Sequence, residues 1–143
     1  MKVVLDTNVL VSGLIGHTGP PAKVVDWLRS GALEPVVDDR MLAEYGDVLR
    51  RPYFAKYFSA TQRDSLLLYL RQNSAHTVCS LHITGLPDPD DAAFLEVAVT
   101  AAAPLVTGNL KHFPTRSRPD AEVLTPTEFV ARFARRLGRA DGR

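Results

Sequence analysis

A single cysteine, Cys79, stands in 143 residues, and one thiol cannot close an internal disulfide, so a scaffold stapled by cystines is excluded. Long hydrophobic runs are missing as well. The most apolar stretch, Val97 to Val106, is interrupted by Thr100 and Pro104 and falls well short of the roughly 20 residues that span a bilayer, which argues against a membrane-embedded role. The opening Met1-Lys2-Val3-Val4-Leu5-Asp6 meets charge too early for a secretory signal. With the lone thiol, this gives a reducing, cytoplasmic setting as the expectation. Strong net charge is also absent. At +1 the composition carries no overall electrostatic footprint of a nucleic-acid binder, and any such footprint must be local. There is no internal repeat, low-complexity block or interdomain linker.

What is present is an ordinary globular mixture, 45% hydrophobic and 23% charged, enough to close one core at this length. We expect one domain over residues 1–137 and a disordered tail over 138–143. The charges are unevenly placed. Arg116, Arg118, Arg132, Arg135, Arg136, Arg139 and Arg143 gather late, whereas Asp88, Asp90 and Asp91 form an acidic group. A basic rim around an acidic centre suits a phosphodiester substrate, and the same pattern also arises where charges only solvate helix faces.

Val3-Val4-Leu5 reads as a short strand buried on both faces, the kind found in parallel sheets. Pro21 opens a helix carrying Val24, Val25 and Leu28, and Gly31 ends it. A second strand is expected at Leu33–Val37. Asp38 or Asp39 then caps a helix whose Met41, Leu42, Tyr45, Val48 and Leu49 form an apolar stripe, stopped by Pro52. A further helix is predicted over Thr61–Asn73 and a weak strand over Thr77–Ile83. Asp88 and Pro89 start the next helix, and Pro104–Thr107 forms another buried strand. Glu122–Leu124 reads as an edge strand, before a helix announced by the capping box of Thr125 and Glu128. Strands alternating with amphipathic helices imply an α/β sandwich with a mainly parallel sheet. Ligands in such sheets bind beyond the carboxyl ends of the strands, which singles out Asp6 and Gly108-Asn109.

Asp91 shares the inward face of its helix with Phe94, Leu95 and Ala98 at i+3, i+4 and i+7, so its carboxylate needs a partner. Asp90 and Glu96 fall off this stripe and are expected to face water. Asp88 and Asp90 are sufficiently explained as residues that complement the helix dipole. Glu44 lies at the edge of the Leu42, Tyr45, Leu49 stripe, within reach of a neighbouring strand end, although alone it is an ordinary helix residue. Asp6 alone also reads as a cap of the next helix, through Thr7 or Asn8. Together the three carry a different meaning. Two carboxylates about 4 Å apart repel by roughly 4 kcal/mol at an effective dielectric near 20, so three converging ones demand protons or a cation. Oxygen ligands without a cysteine or histidine cage favour Mg²⁺ or Mn²⁺ over zinc.

These residues resemble the PIN-domain family over nearly the whole chain. Val3-Val4-Leu5-Asp6-Thr7-Asn8-Val9-Leu10 looks like the family's first motif, a hydrophobic strand ending in a metal-binding aspartate and a small polar pair. Glu44, within Leu42-Ala43-Glu44-Tyr45, is similar to the acidic residue on the helix after the second strand. Asp91, within Asp91-Ala92-Ala93-Phe94-Leu95-Glu96-Val97-Ala98, matches the third acidic position. Leu105-Val106-Thr107-Gly108-Asn109 is similar to the fourth motif, but Asn109 stands where many members carry aspartate, so one negative charge is missing and a second metal would be held less firmly. The stretch Thr107 to Pro114 resembles a VapC-like subgroup regarded as toxin components of toxin-antitoxin pairs.

The resemblance implies a PIN-like three-layer α/β/α sandwich and a single-strand RNA endonuclease. Asp6, Glu44 and Asp91 would hold one divalent ion that lowers the pKa of a bound water, giving a hydroxide that attacks phosphorus in line. Asn109 and Thr107, with Asn8, would orient that water or a second ion. Lys111, His112, Arg116 or Arg118 would steady substrate phosphates, and His112 is equally readable as packing beside Phe113. An antitoxin protein and a homodimer are implied partners, with the Leu66–Leu70 helix weighed as a dimer face or as core. Other readings are a non-catalytic RNA- or protein-binding module and a housekeeping RNA-processing nuclease. A haloacid-dehalogenase-type phosphotransferase also places an aspartate after its first strand, but needs a second acid where this chain has Asn8.

Overall fold

Val3, Val4 and Leu5 offer no group that needs water, and they form the fully buried centre of a parallel sheet. The computed structural model describes residues 1–118 and 120–140, with the side chains of 137–140 set aside. Along this chain run β1 (Lys2–Leu5), α1 (Thr7–Ile15), α2 (Pro20–Ser30), β2 (Glu34–Val37), α3 (Asp39–Leu49), α4 (Ala60–Asn73), β3 (Ala75–His76), α5 (Ala92–Ala101), β4 (Leu105–Val106), β5 (Val123–Leu124) and α6 (Pro126–Ala140). Short 3₁₀ turns sit at Pro52–Lys56, Pro89–Asp91, Leu110–His112 and Thr115–Ser117. The strand order is β3-β2-β1-β4-β5 with every pair parallel. Helices flank this sheet in a three-layer α/β/α sandwich, as expected.

Strand order sets the site. From β1 the chain builds outward through β2 to β3, then returns to the other side of β1 with β4 and β5. The reversal falls between β1 and β4, where Val4 pairs with Leu105 and Leu5 with Val106. α1 leaves the end of β1 and the 3₁₀ turn Leu110–His112 follows β4, and it is beyond such carboxyl ends that parallel sheets hold their ligands. The next residues in that register are Asp6 and Thr107.

Local signals explain the element ends. Gly31, with φ of 85°, closes α2 in a left-handed conformation that a side chain would strain, and its N–H bonds to Leu28. Asp38 caps α3 through Met41 N–H at 2.9 Å. Thr125 and Glu128 exchange the two bonds of a capping box, at 2.9 and 3.1 Å. A second box, Ser59 with Gln62, starts α4 at Ala60, one residue before the expected helix. The helix α6 runs past Leu137 to Ala140; of the expected tail, residues 141–143 lie outside the described residues.

The strand expected at Thr77–Ile83 is not formed. β3 is only Ala75–His76, and the last rung beside it is Thr77 N–H to Val37 carbonyl at 2.9 Å. β2 ends at Val37 because Asp38 turns away to cap α3, so the alternating residues that follow Thr77 have no strand to pair with. Val78 is 93% exposed.

Apolar packing joins the layers. Trp27 of α2 meets Phe129 of α6 edge-on at 6.2 Å, and Tyr45 of α3 lies 6.1 Å from Phe94 of α5. Leu66 and Leu70, part of the stripe weighed as core or as a dimer face, are buried in this core, while Leu68 between them is 54% exposed. Among the described residues no helix is long and apolar enough to cross a membrane.

Candidate functional site

Asp6 follows directly on β1, and its backbone N–H continues the sheet to Val106 carbonyl at 2.9 Å. The residue is only 4% exposed. Three donors hold it: Thr107 hydroxyl to Oδ2 at 2.7 Å, Asn8 Nδ2 to Oδ2 at 3.1 Å, and Thr7 N–H to Oδ1 at 2.8 Å. Burial still raises the pKa above the ordinary aspartate value, against the lowering effect of these donors. Thr107, fully buried, also accepts Asn109 N–H at 3.0 Å. Its hydroxyl therefore orients the carboxylate. Asn8 ties the two strand ends together, accepting Gly108 N–H at 2.8 Å while donating to Asp6.

Asp91 enters from the start of α5. It occupies the cap position but makes no capping bond; that task falls to Asp88, which accepts Asp90 N–H at 3.0 Å. The Asp91 side chain is turned inward and the residue is 8% exposed. Its Oδ2 lies 2.8 Å from His112 Nδ1, yet this buried oxygen receives no aligned hydrogen bond. The approach lies within ion-pair distance but off the N–H direction. Burial first, and the nearby Asp6 second, push the Asp91 pKa up to about 6.

Glu44 reaches in from α3, where the Thr7 hydroxyl donates to its Oε2. Its pKa is raised by burial and by Asp6, Asp90 and Asp88, with the Thr7 bond acting the other way. Tyr45, next to it, is fully buried and donates its hydroxyl to Leu5 carbonyl at 2.5 Å, fixing the end of β1. Burial holds the Tyr45 phenol well above its ordinary pKa.

The fold thus brings Asp6, Glu44 and Asp91 into one electrostatic neighbourhood, with Asn8, Thr107 and His112 in direct contact with members of it. Among the described residues, no three His, Cys, Asp or Glu side chains are set around a single point as a metal cage. The donor chemistry nevertheless fits a hard divalent cation. Carboxylates raised in pKa by burial and, for Asp91, by the nearby Asp6, one of them with a buried oxygen that receives no aligned bond, are groups that a positive ion would satisfy. Asn109 is half-buried at the rim and Lys111 is exposed beside it. Of the late arginines, Arg118 is tied to Val123 carbonyl and Thr115 hydroxyl, and Arg132 pairs with Glu122. Arg116, Arg135 and Arg136 are exposed.

Glu96 corrects the sequence reading. Expected to face water, it is 3% exposed and bonds Arg40 Nη1 and Ile83 N–H, each at 2.8 Å. Arg40 also grips Asp38 through Nε and Nη2. Glu96 shares its side of α5 with Thr100 one turn on, which is exposed, so no pattern along the helix signals the burial; the partners that cover Glu96 come from α3 and from the stretch after β3. A groove of about 270 Å³, lined by Arg40, Glu44, Pro89, Asp90 and the first turn of α5, opens beside this network.

Comparison with known proteins places these features. The family profile described as PIN domain matches residues 2–111. The chain is 28% identical over 149 aligned positions to the uncharacterized protein MJ1680 of Methanocaldococcus jannaschii, covering 93% of this chain and 92% of that protein. Its fold is similar to that of VapBC2 from Rickettsia felis, solved bound to a DNA fragment from their promoter, with TM-score 0.58 and 19% identity. It is also similar to FitAcB from Neisseria gonorrhoeae, with TM-score 0.50 and 16% identity. Each of these two alignments covers 87% of this chain and 98% of the other.

Proposed function

Because this chain belongs to the PIN domain family, we propose that it is a metal-dependent endoribonuclease that cuts single-stranded RNA and serves as the VapC-like toxin component of a toxin-antitoxin pair. One observation carries the reading. At the reversal point of the sheet, Asp6 and Asp91 present buried carboxylates of raised pKa, and an oxygen of Asp91 lacks an aligned donor. An acid pair whose charges are this poorly satisfied by the protein is poised for a cation.

Asp6 and Asp91, with Glu44, would hold a Mg²⁺ or Mn²⁺ ion. When bound, the ion supplies positive charge that polarises water and the phosphodiester. The chain's own residues do the rest. Thr107, Asn8 and Thr7 N–H hold the Asp6 carboxylate in one orientation. Thr7 steadies Glu44, and Tyr45 holds the carbonyl one residue before Asp6. His112 rests against Asp91, and Asn109 and Lys111 stand at the rim where an RNA phosphate would lie. The toxin role draws on the Thr107–Pro114 resemblance and is in keeping with the fold shared with VapBC2. An antitoxin protein and a second copy of the chain belong to the same proposal.

The test is cleavage of a single-stranded RNA while Mg²⁺ or Mn²⁺ is titrated in, comparing wild type with Asp91→Asn and adding EDTA. Metal-dependent cutting that disappears in the variant is the expected result. Equal activity in both proteins would identify a contaminant and end the enzymatic reading. A second reading, a non-catalytic RNA- or protein-binding module, draws on Asn109 and on the lack of a closed three-ligand cage among the described residues. It requires RNA or protein binding without metal, unchanged by Asp6→Asn.

A further inference from the structure

Glu96 is an expensive residue to keep. A carboxylate buried to this degree costs several kcal/mol unless charge and hydrogen bonds compensate it, and hydrophobic side chains of similar volume usually serve stability as well or better. Here the compensation comes from two separate segments. Arg40 arrives from the first turn of α3 and Ile83 N–H from the irregular stretch after β3, each meeting its own carboxylate oxygen at 2.8 Å. Arg40 is itself held by Asp38, whose other oxygen caps α3. The chain Asp38–Arg40–Glu96 is therefore a rigid strut from the end of β2, through the start of α3, to the middle of α5.

These two helices carry the proposed ligands. Glu44 lies one helical turn beyond Arg40 on the same face of α3, and Asp91 lies five residues before Glu96, at the start of α5. Arg40 and Glu44 line one groove. Beside the strut the α3–α5 contact includes the apolar meeting of Tyr45 and Phe94, which is less directional than the charge-assisted bond from Arg40 Nη1 to Glu96, the guanidinium being held on its other side by Asp38.

We propose that Arg40 and Glu96 are positioning residues that fix the separation of Glu44 and Asp91, acting through helix placement rather than by touching substrate or metal. The proposal rests on the reading of those acids as a cation site. Glu96→Gln tests it with little change of volume. An amide has one acceptor oxygen where the carboxylate has two, so it can serve Arg40 or Ile83 N–H but not both.

The first measurement is Mn²⁺ affinity by titration calorimetry on wild type, Glu96→Gln and Arg40→Lys, with circular dichroism confirming the fold. Outer-shell losses typically lower metal affinity about 10- to 100-fold, and we expect the low end of that range for Glu96→Gln with KM for RNA unchanged and kcat reduced. Arg40→Lys, which keeps the charge and loses the fork, should recover only part of the affinity. The second measurement needs no metal. Spin labels at Ala43→Cys and Thr100→Cys in a Cys79→Ser background report the α3–α5 distance, and Glu96→Gln should broaden its distribution. Folded variants with wild-type Mn²⁺ affinity and an unchanged distance distribution would overturn the strut. A broadened distribution in a protein whose wild type binds no Mn²⁺ would instead sustain the strut and overturn the cation site. If Glu96→Gln does not fold, the half-exposed Arg40 carries the same two measurements through Arg40→Gln.

Discussion

Asp91→Asn removes a charge while keeping the side chain's shape, and its effect on stability follows from the surroundings. In the folded protein the carboxyl has a pKa of about 6, against 3.8 ordinarily. Ionising it there costs about 3 kcal/mol, which solvent screens to about 1–2 kcal/mol. The sign is fixed by proton binding. Between the two values the folded state holds the proton more often than the unfolded chain does, so wild-type stability falls as pH rises from about 4 and the whole penalty is present above about 7. The variant carries no such penalty. Denaturant unfolding in EDTA should therefore find Asp91→Asn more stable than wild type by about 1–2 kcal/mol at pH 7.5, with the gap closing as pH falls through 6 toward 4. Mn²⁺ at 100 times its dissociation constant stabilises a binding-competent fold by about 2.7 kcal/mol. Adding it should reverse the order, raising wild type alone. A variant less stable than wild type at pH 7.5 without metal, or a difference that ignores pH, would refute the claim that Asp91 is a poorly compensated buried charge.

Other expectations concern the frame around the acids. Tyr45→Phe leaves Leu5 carbonyl without its buried donor and should lower stability by about 1–2 kcal/mol, read from a urea midpoint at unchanged m-value. Thr107→Val strips Asp6 of its shortest donor; the Asp6 pKa followed by carboxyl NMR should climb further, and an unmoved titration would remove Thr107 from its role. Thr125→Ala breaks the capping box of α6 and should cost about 1 kcal/mol in thermal or chemical unfolding while leaving RNA cleavage intact.

Much of this arrangement was legible from residue pattern, and the gaps have physical causes. Val3-Val4-Leu5 and Pro104–Thr107 announce themselves as buried parallel strands because they are almost wholly apolar, and the carboxyl-end rule then marks Asp6 and Gly108-Asn109, whereas the bond from Thr107 to Asp6 is visible only in the fold. The Thr125–Glu128 box and the Asp88-Pro89 start are short-range chemistry, readable within four residues. Asp91 was readable because a charge on an apolar helical face contradicts its neighbours. Glu96 was missed for the complementary reason: it lies on the side of α5 that also carries the exposed Thr100, and it is buried only because Arg40 and Ile83 come over it from elsewhere in the chain. The strand assigned to Thr77–Ile83 failed because pairing depends on the neighbour, and Asp38 ends β2 too early to offer one. Tyr45 was legible as core, but the bond from its hydroxyl to Leu5 spans 40 residues, and no local pattern encodes that.

The bond between Asp6 and Thr107 joins residues 101 positions apart. A chain growing from its amino terminus carries all three acids once Asp91 has been made, but β4, which completes the wall behind Asp6, follows only at Leu105. Premature products ending before that strand would be inert, with Asp6 lacking its shortest donor and the central strand left as an open edge. A fragment of residues 1–103 should therefore neither bind Mn²⁺ nor cut RNA, and the full chain compared beside it is the control.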